Sequence, residues 1–306
     1  MIRAALTACL LALALPGCGL GPGEEREGGA EVRVTRDFGA ERLATVETAT
    51  VREGETVMRL LSSERKVETR FGGRFVHSID GLAGSAGGGG RRDWFFWVNG
   101  MESSVGADEY ELHPGDVVTW DHRRWDAAMQ IPAIVGAFPE PFAHGVEGKR
   151  LPVRIECESP EGEACALVRE RLAAVGARTT SAVLGSPAGR EVIRVVVARW
   201  ERAARLQSLH AMTEGPSASG VFARFRDGRL ELLDERARVA RAAPAGSGLL
   251  AATGFAESKS IWLVTGLDDA GVLAAAGALE ESALRDAFAV AATPEGVVRL
   301  PVGEEG

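Results

Sequence analysis

Apolar and polar residues alternate over 31–36, Glu-Val-Arg-Val-Thr-Arg, with the two-residue period of a half-buried strand. A second such stretch follows at 44–51. The period then changes. Val57, Leu60 and Leu61 fall at i, i+3 and i+4, which predicts a short amphipathic helix. Short strands are predicted at 67–70 and 75–79, and a glycine-rich loop over 81–92. Trp94-Phe95-Phe96-Trp97-Val98 is a strong strand pattern closed by Asn99-Gly100, a hairpin-turn dipeptide. His113-Pro114-Gly115-Asp116 is a further turn, and 117–120 the last strand of this part. Two strands, one helix and several strands is the order of a β-grasp, a mixed sheet with one helix across one face.

From 126 to 150 the pattern loses its period. Pro132, Pro139 and Pro141 exclude a helix. Ile131, Ile134, Val135, Phe138 and Phe142 exclude a solvated linker, which has no use for them. The segment is expected to pack in extended form between two domains. Beyond it, Val153-Arg154-Ile155 reads as a strand and 164–175 as a helix stopped at Gly176. Residues 192–197, Val-Ile-Arg-Val-Val-Val, are apolar except for Arg194 and read as a strand in a sheet covered on both faces. A helix is predicted at 202–212, and a hairpin from 220–225 and 230–233 around Asp227-Gly228. Then come a buried strand at 260–265, an Ala-rich helix capped by Asp268 or Asp269, and strands at 287–291 and 297–300. The expected fold class is α+β: a β-grasp-like domain at 31–125, a packed connector at 126–150, and an α/β domain with a mixed sheet at 151–306. At fold level the last part is loosely similar to one lobe of a periplasmic binding protein.

The first residues change the picture from fold to location. Arg3 precedes an apolar run at 4–15, shorter than the roughly 20 residues that span a bilayer. Its length and flanks are those of a secretory signal. Leu15-Pro16-Gly17-Cys18 resembles the lipobox of bacterial lipoproteins, which implies a signal peptide at 1–17 and lipidation of Cys18. An ordinary signal peptide cut at another small residue is the alternative. Residues 18–30, rich in glycine and glutamate, read as a flexible tether. The expected location is the extracytoplasmic face of a cell membrane, with the lipid as anchor. Of 4 cysteines, Cys9 leaves with the signal and Cys18 carries lipid, so Cys157 and Cys165 remain as a disulfide pair. A metal site there would need a His or third Cys nearby, and none is present. The net charge of -8 argues against nucleic acid as a partner.

Four stretches carry a family resemblance: Gly54–Leu61, Phe75–Gly81, Trp94–Gly100 and Gly106–Trp120, in that order. Together they resemble the transcobalamin-like C-terminal domain family, a β-grasp-type domain of unknown function, over about residues 31–125. The resemblance implies a ligand-binding module and suggests a corrinoid as ligand. The all-helical barrel that partners this domain in the vitamin carriers has no counterpart in the pattern here.

Candidate chemistry centres on the aromatic strand. Trp94, Phe96 and Val98 share one face, and Phe95, Trp97 and Asn99 the other. The helix covers one face, so something must cover the second: the connector and second domain, or a ligand lying on an aromatic platform. Trp120-Asp121-His122-Arg123-Arg124-Trp125 is either a charged strand end that blocks aggregation or a ligand rim in which His122 or Arg123 meets a polar group. The candidate ligand residues are Trp94, Trp97, Asn99, Trp120, His122 and Trp125. The run from Gly84 to Arg92 lacks the Gly-Lys-Ser/Thr ending of a phosphate loop and reads as a mobile hairpin tip. No hydrolase, zincin or dinucleotide motif is present, so neither a catalytic residue nor a metal or cofactor site is expected. The resulting expectation is a lipoprotein that captures a small ligand, possible corrinoids included, and hands it to a membrane transporter. The alternative is a structural or adhesive envelope protein that binds a protein or glycan. The second aromatic face separates the two readings.

Overall fold

The computed structural model describes residues 24–303 except 74, 88, 89, 190, 256 and 257. Cys18, the signal segment and the first part of the tether lie outside the described residues. The protein is α+β, with four sheets among the described residues.

Strands β1 (Glu25–Arg36) and β2 (Glu41–Arg52) form an antiparallel hairpin. The first strand therefore starts inside the segment read as a tether. Residues 25–27 pair with 50–52 through the main chain, which needs no apolar side chain to hold it. The register shifts between Glu27 and Ala30, and Gly29 sits at φ +54°. A Cβ at Gly29 would lie 2.3 Å from the carbonyl oxygen of Thr48, so only glycine fits this bulge.

Helix α1 (Val57–Glu64) follows, with Thr56 Oγ1 accepting from Arg59 N–H at 3.2 Å. Its buried residues are Val57, Leu60 and Leu61, the three that carry the helical period. Next come β3 (Val67–Arg70), β4 (Phe75–Ile79), β5 (Leu82–Ala83), β6 (Ser85–Gly87), β7 (Gly90–Val98), β8 (Met101–Glu102) and β9 (Asp116–Arg124). The main sheet runs β2-β1-β9-β7-β6, with β8 on β7. Strand β9 is parallel to β1 while every other pair is antiparallel, which gives the mixed sheet of a β-grasp. The glycine-rich stretch is not one loop: Ser85 pairs with Arg92 and Gly87 with Gly90. Backbone pairing does not require the side chains whose absence suggested a loop.

The connector is buried, as its apolar residues require, but it is not extended. Successive turns close with Phe138 N–H on Val135 O, Glu140 N–H on Ala137 O and Phe142 N–H on Pro139 O.

The C-terminal part contains β10 (Val153–Cys157), α2 (Glu163–Ala174), β11 (Thr179–Val183), β12 (Ile193–Arg199), α3 (Trp200–Ala203), α4 (His210–Glu214) and α5 (Pro216–Ser219). These are followed by β13 (Ala223–Arg226), β14 (Arg229–Leu233), β15 (Val239–Ala242), β16 (Gly248–Phe255), β17 (Ser258–Gly266), α6 (Asp269–Gly277), α7 (Glu281–Leu284), β18 (Ala289–Thr293) and β19 (Gly296–Leu300). The predicted helix at 202–212 is broken into α3, a 3-10 turn at Gln207–Leu209, and α4. Leu206, Leu209 and Met212 recur every third residue, the 3-10 period, and all three pack on one core. The mixed sheet has the order β11-β10-β12-β17-β16-β18-β19. Its first four strands are parallel. Val195 and Val197 face the core shared with α2 and α6, while Val196 and Ala198 face the core beneath β13 and β14. Burial on both faces accounts for the apolar run at 195–198 in β12, and the one buried charge before it, Arg194, is paired with Glu156 at 2.8 Å.

Strand β16 escaped the sequence pattern because it is built from Gly, Ala and Leu. The reason lies in α6, which approaches it closely: a Cβ at Gly248 would lie 1.9 Å from Gly271 O and 2.8 Å from the Ala275 methyl. Gly248→Ala is therefore expected to destabilise the protein by about 1–3 kcal/mol, at the upper end because the clash is with backbone. Urea unfolding with an unchanged m-value checks it.

Candidate functional site

Strand β7 presents its aromatics to two different cores. Trp94, Val98 and Trp120 lie in the β-grasp core with Leu60 and Leu61. On the second face Trp97, 0% exposed, packs with Phe38, Ile131, Ile134, Phe222, Leu233 and Phe288. Its ring meets that of Phe288 edge-on at 5.0 Å, and its Nε1–H donates to Ile131 O at 2.7 Å. The connector and the C-terminal part thus cover this face, and it offers no open platform.

The other candidate ligand residues are also engaged. Trp94 Nε1–H donates to Leu82 O at 2.9 Å. Asn99, in the left-handed region at φ +52°, donates from Nδ2 to Asp116 Oδ1 at 2.8 Å and to Gly145 O at 2.9 Å. Its Oδ1 accepts from Val117 N–H at 2.9 Å, so Asn99 fastens turn, strand and connector together. Trp120 stacks on Phe96 with ring centroids 4.8 Å apart, and its buried indole N–H has no acceptor among the described residues. His122 lies 5.2 Å from the Trp94 ring, with Nε2 3.2 Å from Ala83 O. Trp125 Nε1–H donates to Asp93 Oδ2 at 3.0 Å under the guanidinium of Arg91. Trp94 and Trp97 lie on β7, Trp120 and His122 on the neighbouring β9, Asn99 in the β7–β8 turn and Trp125 just after β9, and none of the six lines the crevice described next.

Arg123 is the rim residue whose role differs most from the expectation. It is fully buried, lies 3.9 Å over the Phe95 ring, and donates to Ala128 O at 2.7 Å and Met129 O at 2.8 Å. Burial pulls its pKa down to about 10, against the carboxylates Asp121 and Glu102, which raise it. Neighbouring Asp121 is buried too, which pushes its carboxyl pKa up. It accepts from Thr35 Oγ1 at 2.6 Å and from Phe38 and Gly39 N–H at 2.9 Å, shaping the β1–β2 turn. A Cβ on Gly39 would lie 1.8 Å from Asp286 O, so this turn abuts the C-terminal part directly. Ion pairs rim the contact: Arg42 with Asp286 at 2.6 Å, and Arg124 and Arg92 with Glu235 at 2.7 and 3.0 Å.

An open crevice lies elsewhere, at the C-terminal ends of the parallel strands. Strand β10 leads through α2 to β11 on one side, and β12 lies on its other side. Such reversals of strand order leave a gap where ligands bind in open α/β sheets. The crevice has a volume of about 300 Å³. Ala164, Cys165, Val197, Val272 and Leu273 give it apolar walls, and Glu158, Arg199 and Asp269 polar ones. Arg199 donates to Glu158 from its backbone N–H at 2.9 Å and from Nη2 at 2.7 Å. These hydrogen bonds hold the Glu158 carboxyl below its ordinary pKa. Helix α6 is capped by Asp268, whose Oδ1 accepts from Gly271 N–H at 2.8 Å. Helix α2 begins after Gly162, which has no side chain to cap it. The Cys157–Cys165 disulfide ties the end of β10 to the first turn of α2. Sequence reasoning found the disulfide and a cap at Asp268 or Asp269, of which Asp268 is the one used, but it did not single out Glu158, Arg199 or Asp269 as site residues. The available signal was positional: Glu158 follows β10, Arg199 ends β12 and Asp269 opens α6, all at the same sheet edge. Among the described residues no group of three or more His, Cys, Asp or Glu could hold a metal ion, and no helix is long and apolar enough to cross a membrane.

The model of a domain of unknown function, DUF4430, matches residues 54–124, which run from the start of α1 to the end of β9. The match falls within the 31–125 segment that resembles the transcobalamin-like C-terminal domain family. No curated protein matches the chain. Among solved structures, a protein from Ruminococcus gnavus described as metal binding is similar at 18% identity and a TM-score of 0.27, over 32% of this chain and 98% of that one. Haptocorrin in complex with Cbi is similar at 20% identity and a TM-score of 0.23, over 32% of this chain and 26% of that one.

Burial lowers the pKa of His122, which favours its neutral ring in the folded protein. The unfolded chain takes up this proton near pH 6.5. Below that pH the unfolded state binds more protons, so stability falls as pH drops through about 6.5, until the folded pKa is reached. Thermal melts between about pH 7 and 5 should show this loss, and His122→Gln should flatten it.

Proposed function

We propose that this protein is an exported lipoprotein, anchored through Cys18, that captures a small molecule in the crevice at the C-terminal edge of its parallel strands and presents it to a membrane transporter. The crevice carries this reading. Its volume of about 300 Å³ is at the lower end for small-molecule sites, and its mostly apolar walls with a few polar groups are what such sites use. The β-grasp part is then a rigid support, since its aromatic face is occupied by the rest of the chain. A corrinoid would need that face or a wider opening, which makes cobinamide a direct probe of the corrinoid reading.

A second reading rests on Phe71, 84% exposed at the turn between β3 and β4, with Phe75 edge-on at 6.4 Å. An exposed aromatic pair at a hairpin tip suits an adhesive contact with a protein or glycan.

Native mass spectrometry of the soluble Cys18→Ser chain, with a heat-shift panel of amino acids, short carboxylic acids, nucleosides, sugars and cobinamide, decides between them. Ligand at about 100 times its Kd should stabilise the fold by roughly 2.7 kcal/mol, a shift of several degrees. Val272→Trp, which fills the crevice, should abolish the shift. A protein that carries no co-purified mass and responds to nothing in the panel would overturn small-molecule capture. For the anchor, metabolic palmitate labelling of the wild-type chain in a bacterial host should be lost in Cys18→Ser.

A further inference from the structure

The Cys157–Cys165 bond is placed unlike an inert cross-link. Cys165 is among the residues that line the open crevice and Cys157 is not, although both are buried, at 2% and 6% exposure. Cys165 is the third residue of α2, in a first turn that no side chain caps. The guanidinium of Arg169, one turn along, points Nη1 at Cys165 Sγ from 3.2 Å, while Nη2 donates to Pro160 O at 2.8 Å. A cation and a helix N-terminus are the two features that stabilise a thiolate. Cys157 ends β10, and no charged contact to its sulfur is present among the described residues. The intervening Glu158, Ser159 and Gly162 also line the crevice, so the bond holds one of its walls.

We infer that Cys157–Cys165 is an exchangeable disulfide that takes two electrons from an external dithiol through the crevice. One thiolate of the dithiol attacks Cys165 Sγ, the bond between the two cysteines breaks, and Cys157 departs and is protonated. The second thiolate of the dithiol attacks its own sulfur in the mixed disulfide, and Cys165 departs as a thiolate facing Arg169. The dithiol is oxidised to its disulfide and the protein is left with two reduced cysteines. Glu158, Ser159 and Gly162 are then released from the tie that fixes them against α2. This exchange does not depend on whether the crevice also holds a small molecule.

The test treats the folded chain with graded dithiothreitol in the absence of denaturant, with tryptophan fluorescence reporting that the fold persists. Iodoacetamide trapping and peptide mapping then give the alkylation rate of each cysteine against pH. Reduction without unfolding is expected, with Cys165 alkylated about ten times faster than Cys157 near pH 6.5. Arg169→Gln should lower the Cys165 rate about threefold or more at that pH and shift its pH profile upward, and Arg169→Lys should restore both. A bond that survives excess dithiothreitol until guanidinium unfolds the protein would overturn the inference. So would two thiols of equal reactivity that are indifferent to position 169.

Discussion

The structure depends on how the second face of the β-grasp sheet is covered. Trp97 and Phe95 make that face apolar, and Arg123 places a cation among them. A buried cation without hydrogen-bond acceptors would be very costly. The connector supplies them, bending so that the carbonyls of Ala128 and Met129 meet the guanidinium and that of Ile131 meets the Trp97 indole. An extended strand could not bring all three to one spot. The turns of 126–150 follow from this requirement, and so does the burial of Phe288 and Phe222 from the far end of the chain against the same rings.

This arrangement divides the molecule's tasks. Ionisable groups near the contact between the two parts are held by neighbours and by burial, as with Asp121 and the β1–β2 turn. At the parallel-strand edge the exposed member of each pair is open to solvent: Arg199, which holds the mostly buried Glu158, and Asp269, 3.7 Å from Arg199. Pairs of the second kind can exchange partners with a ligand at modest cost, because solvent already screens them. The seam between the two parts and the crevice are thus built from different residues.

Much of the fold was legible in the sequence where local pattern and tertiary need agree. Val57, Leu60 and Leu61 specified α1, and the Asn99-Gly100 and Asp227-Gly228 pairs are turns with both residues at positive φ. Strand β12 read correctly because a two-sided burial leaves a run that is apolar but for Arg194. Legibility failed where backbone geometry outweighed side-chain pattern: the start of β1, the glycine-rich β6, and β16, whose small residues admit α6. The aromatic cluster was visible as a cluster, but a face covered by its own chain and a face awaiting a ligand have the same composition. The crevice was not visible at all, since it arises from strand order, a property that no single stretch of sequence carries.

The turn at Gly39, with no room for a side chain against Asp286, has a bearing on ancestry. A domain model matches 54–124, yet the β1–β2 hairpin that completes the sheet is moulded to residues near the other end of the chain. Exchange of the matched segment between proteins would carry a bare aromatic back into a setting that does not cover it. The two parts are therefore coupled at the seam: a side chain added at Gly39 would have to be met by a shift of the backbone at Asp286.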